Sequence, residues 1–160
     1  MQHNNLKQHE LKRREFLTIL IGALVVAVLP ISAMAAAWKQ VWNKAAFAAT
    51  KLDEATKGLH IGTEALSKDI EIVAPDRAEN GAVVQIEITS NIANTESIAV
   101  LVEHNPTPLI GTFNFSNGAL PFVITRIKMA EDSDVKVIVK AEGKFFTNSK
   151  KVIVLENGCG

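Results

Sequence analysis

From Ile70 onward the apolar positions recur at every second residue. Val84, Ile86 and Ile88 alternate with Gln85 and Glu87, and Val135, Val137 and Val139 alternate with Lys136, Ile138 and Lys140, the period of strands that bury one face. The pattern predicts about eight short strands, near Ile70–Val73, Val83–Thr89, Ser97–Val102, Leu109–Phe115, Phe122–Met129, Val135–Ala141, Lys144–Thr147 and Val152–Leu155. Turn signals separate them at Asn80-Gly81, Asn94, Asn105-Pro106-Thr107-Pro108, Asn117-Gly118, Asp132 to Asp134 and Glu142-Gly143, the last set to close a hairpin. Short strands at even spacing with no helix between them predict an all-β, immunoglobulin-like sandwich of two sheets over residues 63–155.

Ahead of the strands the period is that of a helix. Trp38, Val41, Trp42, Ala45, Ala49, Leu52 and Thr56 fall three or four residues apart, with Lys39, Lys44, Lys51 and Asp53 mostly elsewhere and Gly58 where a helix would stop. One amphipathic helix is predicted over residues 36–58, with a linker to 62. Its charges and alanines favour packing on its own domain or a partner over lying on a membrane.

Residues 1–35 read as a leader. A polar start carrying Lys7, Lys12, Arg13 and Arg14 precedes a stretch from Phe16 to Ala37 without charge, and Ala33-Met34-Ala35 supplies small residues for cleavage near Ala35. Arg13 and Arg14 are followed closely by Phe16 and Leu17, the twin-arginine pattern of cargo exported already folded. The apolar stretch is about long enough to span a bilayer, but the cleavage site and Pro30 argue against an anchor that stays. Export to the periplasm is expected, with membrane contact only in transit. A folded passenger without a cofactor site is expected to travel with a partner.

Charge and chemistry narrow the function classes. The whole chain is neutral, with 17 basic and 17 acidic residues. Loss of the leader, with Lys7, Lys12, Arg13, Arg14 and Glu10, leaves an excess of about three acids. No basic cluster interleaved with aromatics remains, so nucleic acid is not an expected partner. Beyond the leader only His60 and His104 occur, far apart, so neither a metal site nor any other cofactor is expected. His104 reads as a loop residue, and Asp132 with Asp134 as solvated turn formers. Nucleophile elbow, glycine-rich phosphate loop and Cys-x-x-Cys pair are all missing, so no enzyme is expected.

What remains is Cys159, the one cysteine, in the tail Glu156-Asn157-Gly158-Cys159-Gly160 that follows the last strand. A cysteine kept for packing would lie in the core, whereas glycines beside this one give mobility without bulk. A lone thiol in an exported protein either pairs with another molecule or reacts. Glu156 and the chain-terminal carboxylate disfavour its thiolate, so activation falls to whatever site receives it.

With the leader, the segments Trp42-Asn43-Lys44-Ala45-Ala46-Phe47, Glu79-Asn80-Gly81-Ala82-Val83-Val84, Ser97-Ile98-Ala99-Val100-Leu101-Val102-Glu103 with Asn105-Pro106, and Thr125-Arg126-Ile127-Lys128-Met129-Ala130, followed by Gly158-Cys159-Gly160, make the chain closely resemble the SoxY family of thiosulfate-oxidation carriers. The resemblance covers essentially the whole chain. It implies a heterodimer with a leaderless SoxZ-like subunit and covalent attachment of substrate at Cys159. It further implies three partner enzymes: a c-type haem enzyme that conjugates thiosulfate, a metal-dependent hydrolase that releases sulfate, and an enzyme that oxidises the remaining sulfane. Asn157, Gly158 and Gly160 would form the carrier arm. The family tail is usually Gly-Gly-Cys-Gly-Gly. Asn157 stands in place of the first glycine here and the final one is missing. The residues alone leave a second reading open, a periplasmic adaptor of the same fold that Cys159 tethers to one partner by a disulfide. A thiol-disulfide enzyme is disfavoured by the absence of a resolving cysteine.

Overall fold

Alternation between buried and exposed positions organises residues 43–156, the part of the chain that the computed structural model describes. Among them run two helices, α1 (Lys44–Ala48) and α2 (Leu52–Gly58). Nine strands follow: β1 (Glu64–Leu66), β2 (Ile70–Val73), β3 (Arg77–Ala78), β4 (Val84–Ser90), β5 (Thr95–Val102), β6 (Leu109–Asn114), β7 (Phe122–Ile127), β8 (Ser133–Ala141) and β9 (Lys144–Val154). The larger sheet has the order β1-β9-β8-β5-β6, with β3 on the same edge of β9 as β1, and the smaller is β2-β4-β7. β1 and β3 lie parallel to β9, whereas the remaining pairs are antiparallel.

Between the sheets lies the main core. Val84, Ile86 and Ile88 of β4 meet Ile98, Val100 and Val102 of β5 and Val135, Val137 and Val139 of β8. A second, smaller core covers the outer face of the larger sheet. Ala99, Leu101, Leu109 and Ile138 pack there under Ala46, Ala49 and Ala55 of the helical segment. β5 therefore buries both faces, which explains why Ile98–Val102 is a continuous apolar run where β4 alternates cleanly.

The expected immunoglobulin-like sandwich is present, with three departures in detail. The helix predicted over 36–58 is broken: Ala49 and Lys51 take extended backbone angles between α1 and α2. Trp38, Val41 and Trp42 lie outside the described residues. The break folds the segment back so that Ala46 and Ala55 are both completely buried, whereas Ala45, on the expected face, is exposed. Close approach makes this possible. A Cβ on Gly58 would stand 2.8 Å from the Ala46 Cα, and the Asn43 side-chain amide donates to the Gly58 carbonyl at 2.5 Å.

The strands predicted at Lys144–Thr147 and Val152–Leu155 are one continuous β9. Its polar middle, Asn148 to Lys151, stays in register with β8, and its side chains serve the other edge, where Asn148 donates to the Ile70 carbonyl at 2.7 Å and Lys150 pairs with Asp76. β1 and β3 are additional strands. Each is too short to carry a period, and Leu66 is largely exposed. The Glu142-Gly143 hairpin is as expected: both residues have positive φ, 50° and 72°, and Ala141 pairs with Lys144 across it.

Candidate functional site: the root of the C-terminal arm

None of the residues singled out for carriage or export falls in the described part. Asn157, Gly158, Cys159 and Gly160 lie beyond it at one end, and Arg13, Arg14, Phe16 and Leu17 at the other. What the structure does define is the platform from which residues 157–160 continue.

β9 ends at that platform under restraint from both sides. The Leu155 amide donates to the Ala78 carbonyl at 2.9 Å, and the Gly81 amide donates to the Glu156 carbonyl at 2.9 Å. The Val154 amide donates to an Asp132 carboxylate oxygen at 2.6 Å. Backbone hydrogen bonds therefore persist to the last described residue, and Glu156, grouped with the arm from sequence, has its carbonyl tied down. From there the chain to Cys159 spans at most roughly 10 Å, shorter than a tail free from Leu155 would reach.

Three loops meet around this point. The 79–81 loop is held by an Asn80 side chain that accepts from the Ala82 amide at 2.7 Å. The 128–130 segment reaches it through the Met129 amide, which donates to the Gly81 carbonyl at 2.8 Å. The 103–105 loop grips 128–130 in turn: Asn105 donates through Nδ2 to the Lys128 carbonyl at 2.7 Å and accepts through Oδ1 from the Ala130 amide at 2.8 Å.

Asp132 and Asp134 are both exposed, as expected, but they do not form a turn pair. Asp134 lies inside β8 opposite Lys151, and Asp132 fills the hydrogen-bonding need of the Val154 amide near the sheet end. His104 is a loop residue, as predicted, with Nδ1–H donating to the Asp132 carbonyl at 2.6 Å and its backbone amide donating to Ser133 Oγ at 3.1 Å. Glu131 lies 3.8 Å from the same ring nitrogen. Glu79, Glu103, Glu131, Asp132 and Glu156 are all exposed here against Lys128 and His104, so the platform is acidic. Nearby on the β9 edge, the hydrogen bond from Lys150 holds the Asp76 carboxyl below its ordinary range.

In the sequence, Asn80-Gly81, Asn105-Pro106 and Lys128-Met129-Ala130 stand as separate motif fragments. Their convergence is a property of the fold. The bonds that join them link residues far apart in the chain and leave no local signal beyond the turn-forming types themselves.

Among the described residues no cluster of three or more His, Cys, Asp or Glu is placed to hold a metal, and no helix is long and apolar enough to cross a membrane. Outward-facing Phe122 and Ile124 on the edge strand β7, with Leu120 before it, are exposed apolar side chains.

The fold and the family profile together define a sulfur-oxidation protein built on an immunoglobulin-like sandwich. The chain belongs to the SoxY family: the profile of the sulfur oxidation protein SoxY matches residues 59–159, a span that includes Cys159. Among solved structures, the sulfur carrier protein SoxY from Chlorobium limicola f thiosulfatophilum is similar, at 31% identity and a TM-score of 0.57, covering 65% of this chain and 96% of that one. A superoxide reductase (neelaredoxin) from Ignicoccus hospitalis matches at 18% identity and a TM-score of 0.47 over 53% of this chain and 78% of its own. No curated protein matches the chain.

Proposed function

We propose that this protein carries thiosulfate-derived sulfur covalently on Cys159 and presents it to partner enzymes in the periplasm, having no catalytic site of its own. The observation that carries the reading is the family match running through Cys159, on a strand whose end is fixed three residues before the thiol. Chemistry is consistent at each step. The Cys159 thiol and the outer sulfur of thiosulfate form an S–S bond, releasing one proton and two electrons that the haem enzyme accepts. Water then cleaves the bond to the sulfonate group, giving sulfate, two protons and a persulfide anion left on Cys159. That sulfane is oxidised further by the third enzyme.

The same reading assigns residues 1–35 to a twin-arginine leader, 36–62 to a helical segment and linker, 63–155 to the sandwich and 156–160 to the arm. It gives the protein a SoxZ-like partner in a heterodimer. Exposed Leu120, Phe122 and Ile124 support a partner, since monomers rarely leave such groups on a sheet edge.

Intact-mass measurement of protein from thiosulfate-grown cells should show sulfur adducts on Cys159. Cys159→Ser should fold normally and abolish thiosulfate-dependent oxidation in a reconstituted system. Residual activity above a tenth of wild type, about 1.4 kcal/mol of barrier, would remove the carrier assignment. A single stable mixed disulfide at Cys159 would instead establish the adaptor.

A further inference from the structure

The carrier arm can be productive only if its root points the thiol outward in a narrow range of directions, because the chain from Glu156 to Cys159 is only roughly 10 Å long. A short tether converts a small rotation at its base into loss of the thiol from a receiving site. Among the described residues the last backbone bond is made at the Glu156 carbonyl, and the direction is set there.

That carbonyl is held by Gly81, and Gly81 is held by Met129. Met129 cannot move toward the core side because its side chain is wholly buried among the inter-sheet residues. On the outer side the residues flanking it, Lys128 and Ala130, are both bound by the one amide of Asn105. The asparagine is half-buried in the loop between β5 and β6 and 51 positions from Glu156 in sequence. It serves no part of the sandwich core and contacts no residue of β9 through its side-chain bonds.

Asparagine is the side chain this arrangement requires. Lys128 offers a carbonyl and Ala130 an N–H, so the clasp needs one donor and one acceptor in a single plane. Aspartate would keep only the bond to Ala130 and set its charge against the Lys128 carbonyl. Alanine would lose both bonds and leave the peptide groups of 128–130 to water.

We propose that Asn105 is a positioning residue for the carrier arm, fixing through Met129 and Gly81 the direction in which the chain leaves Glu156. The proposal rests on the carrier reading for its purpose but not for its geometry.

The test uses the full mature chain carrying a nitroxide on Cys159, the one cysteine, with Asn105→Ala and Asn105→Asp compared to wild type. Gly58→Ala, which strains the helix pair instead, serves as a control for lost stability. Asn105→Ala should narrow the nitroxide spectrum and speed amide exchange at Gly81 at least roughly tenfold, with Asn105→Asp intermediate. Unlabelled protein, offered to the sulfate-releasing hydrolase as conjugated substrate, should show KM raised at least about fivefold with kcat changed less than about twofold. Gly58→Ala should move none of these readouts. An unchanged spectrum and unchanged Gly81 exchange in both Asn105 variants would overturn the proposal, as would an equal KM rise in Gly58→Ala. The spectral and exchange arms hold even if Cys159 carries no adduct, so a failed carrier reading and a failed positioning role give different results.

Discussion

Gly58 and His60 stand two positions apart at the end of α2 and answer opposite demands. The helix terminates by paired bonds from the Ile61 amide to the Thr56 carbonyl at 3.0 Å and from the His60 amide to the Lys57 carbonyl at 2.9 Å, with His60 at φ 57°. This motif usually puts glycine at the left-handed position. Here the glycine is spent two residues earlier, where only its missing Cβ lets α2 touch Ala46. Gly58→Ala should therefore lower stability by about 1–3 kcal/mol through overpacking, although helix propensity alone favours alanine by about 1 kcal/mol. His60→Gly should raise it by about 1 kcal/mol, near 4 °C in melting temperature. Thermal melts of the two variants decide between the readings: a stabilised Gly58→Ala would show that the helix pair has room to spread. The sequence signal at this site was half legible. Gly58 correctly marks where the helix ends, but the reason is a contact with Ala46, a full helix away, which no local pattern records.

At the scale of elements, period-two alternation located the strands that bury one face, and β2 falls on its expected residues. It failed where a strand is built from partners instead of from a buried face. The middle of β9 pairs with β8 alone and meets its other side through the Asn148 and Lys150 side chains, and β1 and β3 exist because β9 offers them an edge on either side of that stretch. The start of β5 shows how polar groups tie such elements together. Glu96 accepts from Lys140 of β8 at 2.7 Å and from the Gly143 amide of the hairpin at 3.3 Å, and the hydrogen bond from Lys140 chiefly holds its carboxyl below the ordinary glutamate range. The folded protein thus prefers the ionised form. Its stabilisation is complete above the unfolded-state value and is lost as pH falls through the ordinary glutamate range and below it. Urea midpoints measured across that range should fall less steeply for Glu96→Gln than for wild type, and parallel acid limbs would show that the strap contributes nothing.

Over the whole molecule, the sandwich could be read from the residues alone, because turn spacing fixes the fold class. The platform could not. It is assembled from loops at Ala78–Gly81, His104–Asn105 and Lys128–Asp132 that the sheets bring to the end of β9. The proposed folded export makes its own prediction at this scale. Arg13 and Arg14 changed together to lysine should retain both this protein and its leaderless SoxZ-like partner in the cytoplasm, as read by fractionation. A partner still found in the periplasm would end the idea of joint passage.

The anchoring of β9 also decides how the domain bears load. On the proposed carrier role, an enzyme that held the Cys159 thiol while the two proteins diffused apart would pull on Glu156 along the strand axis. The bonds from β9 to β8, β1 and β3 run across that axis, on both edges of the same strand. Tension is thus met in shear, many bonds at once, and not by opening them one after another as in a zipper. On that proposed role, release from a partner would break the contact between the proteins before it disturbed the fold.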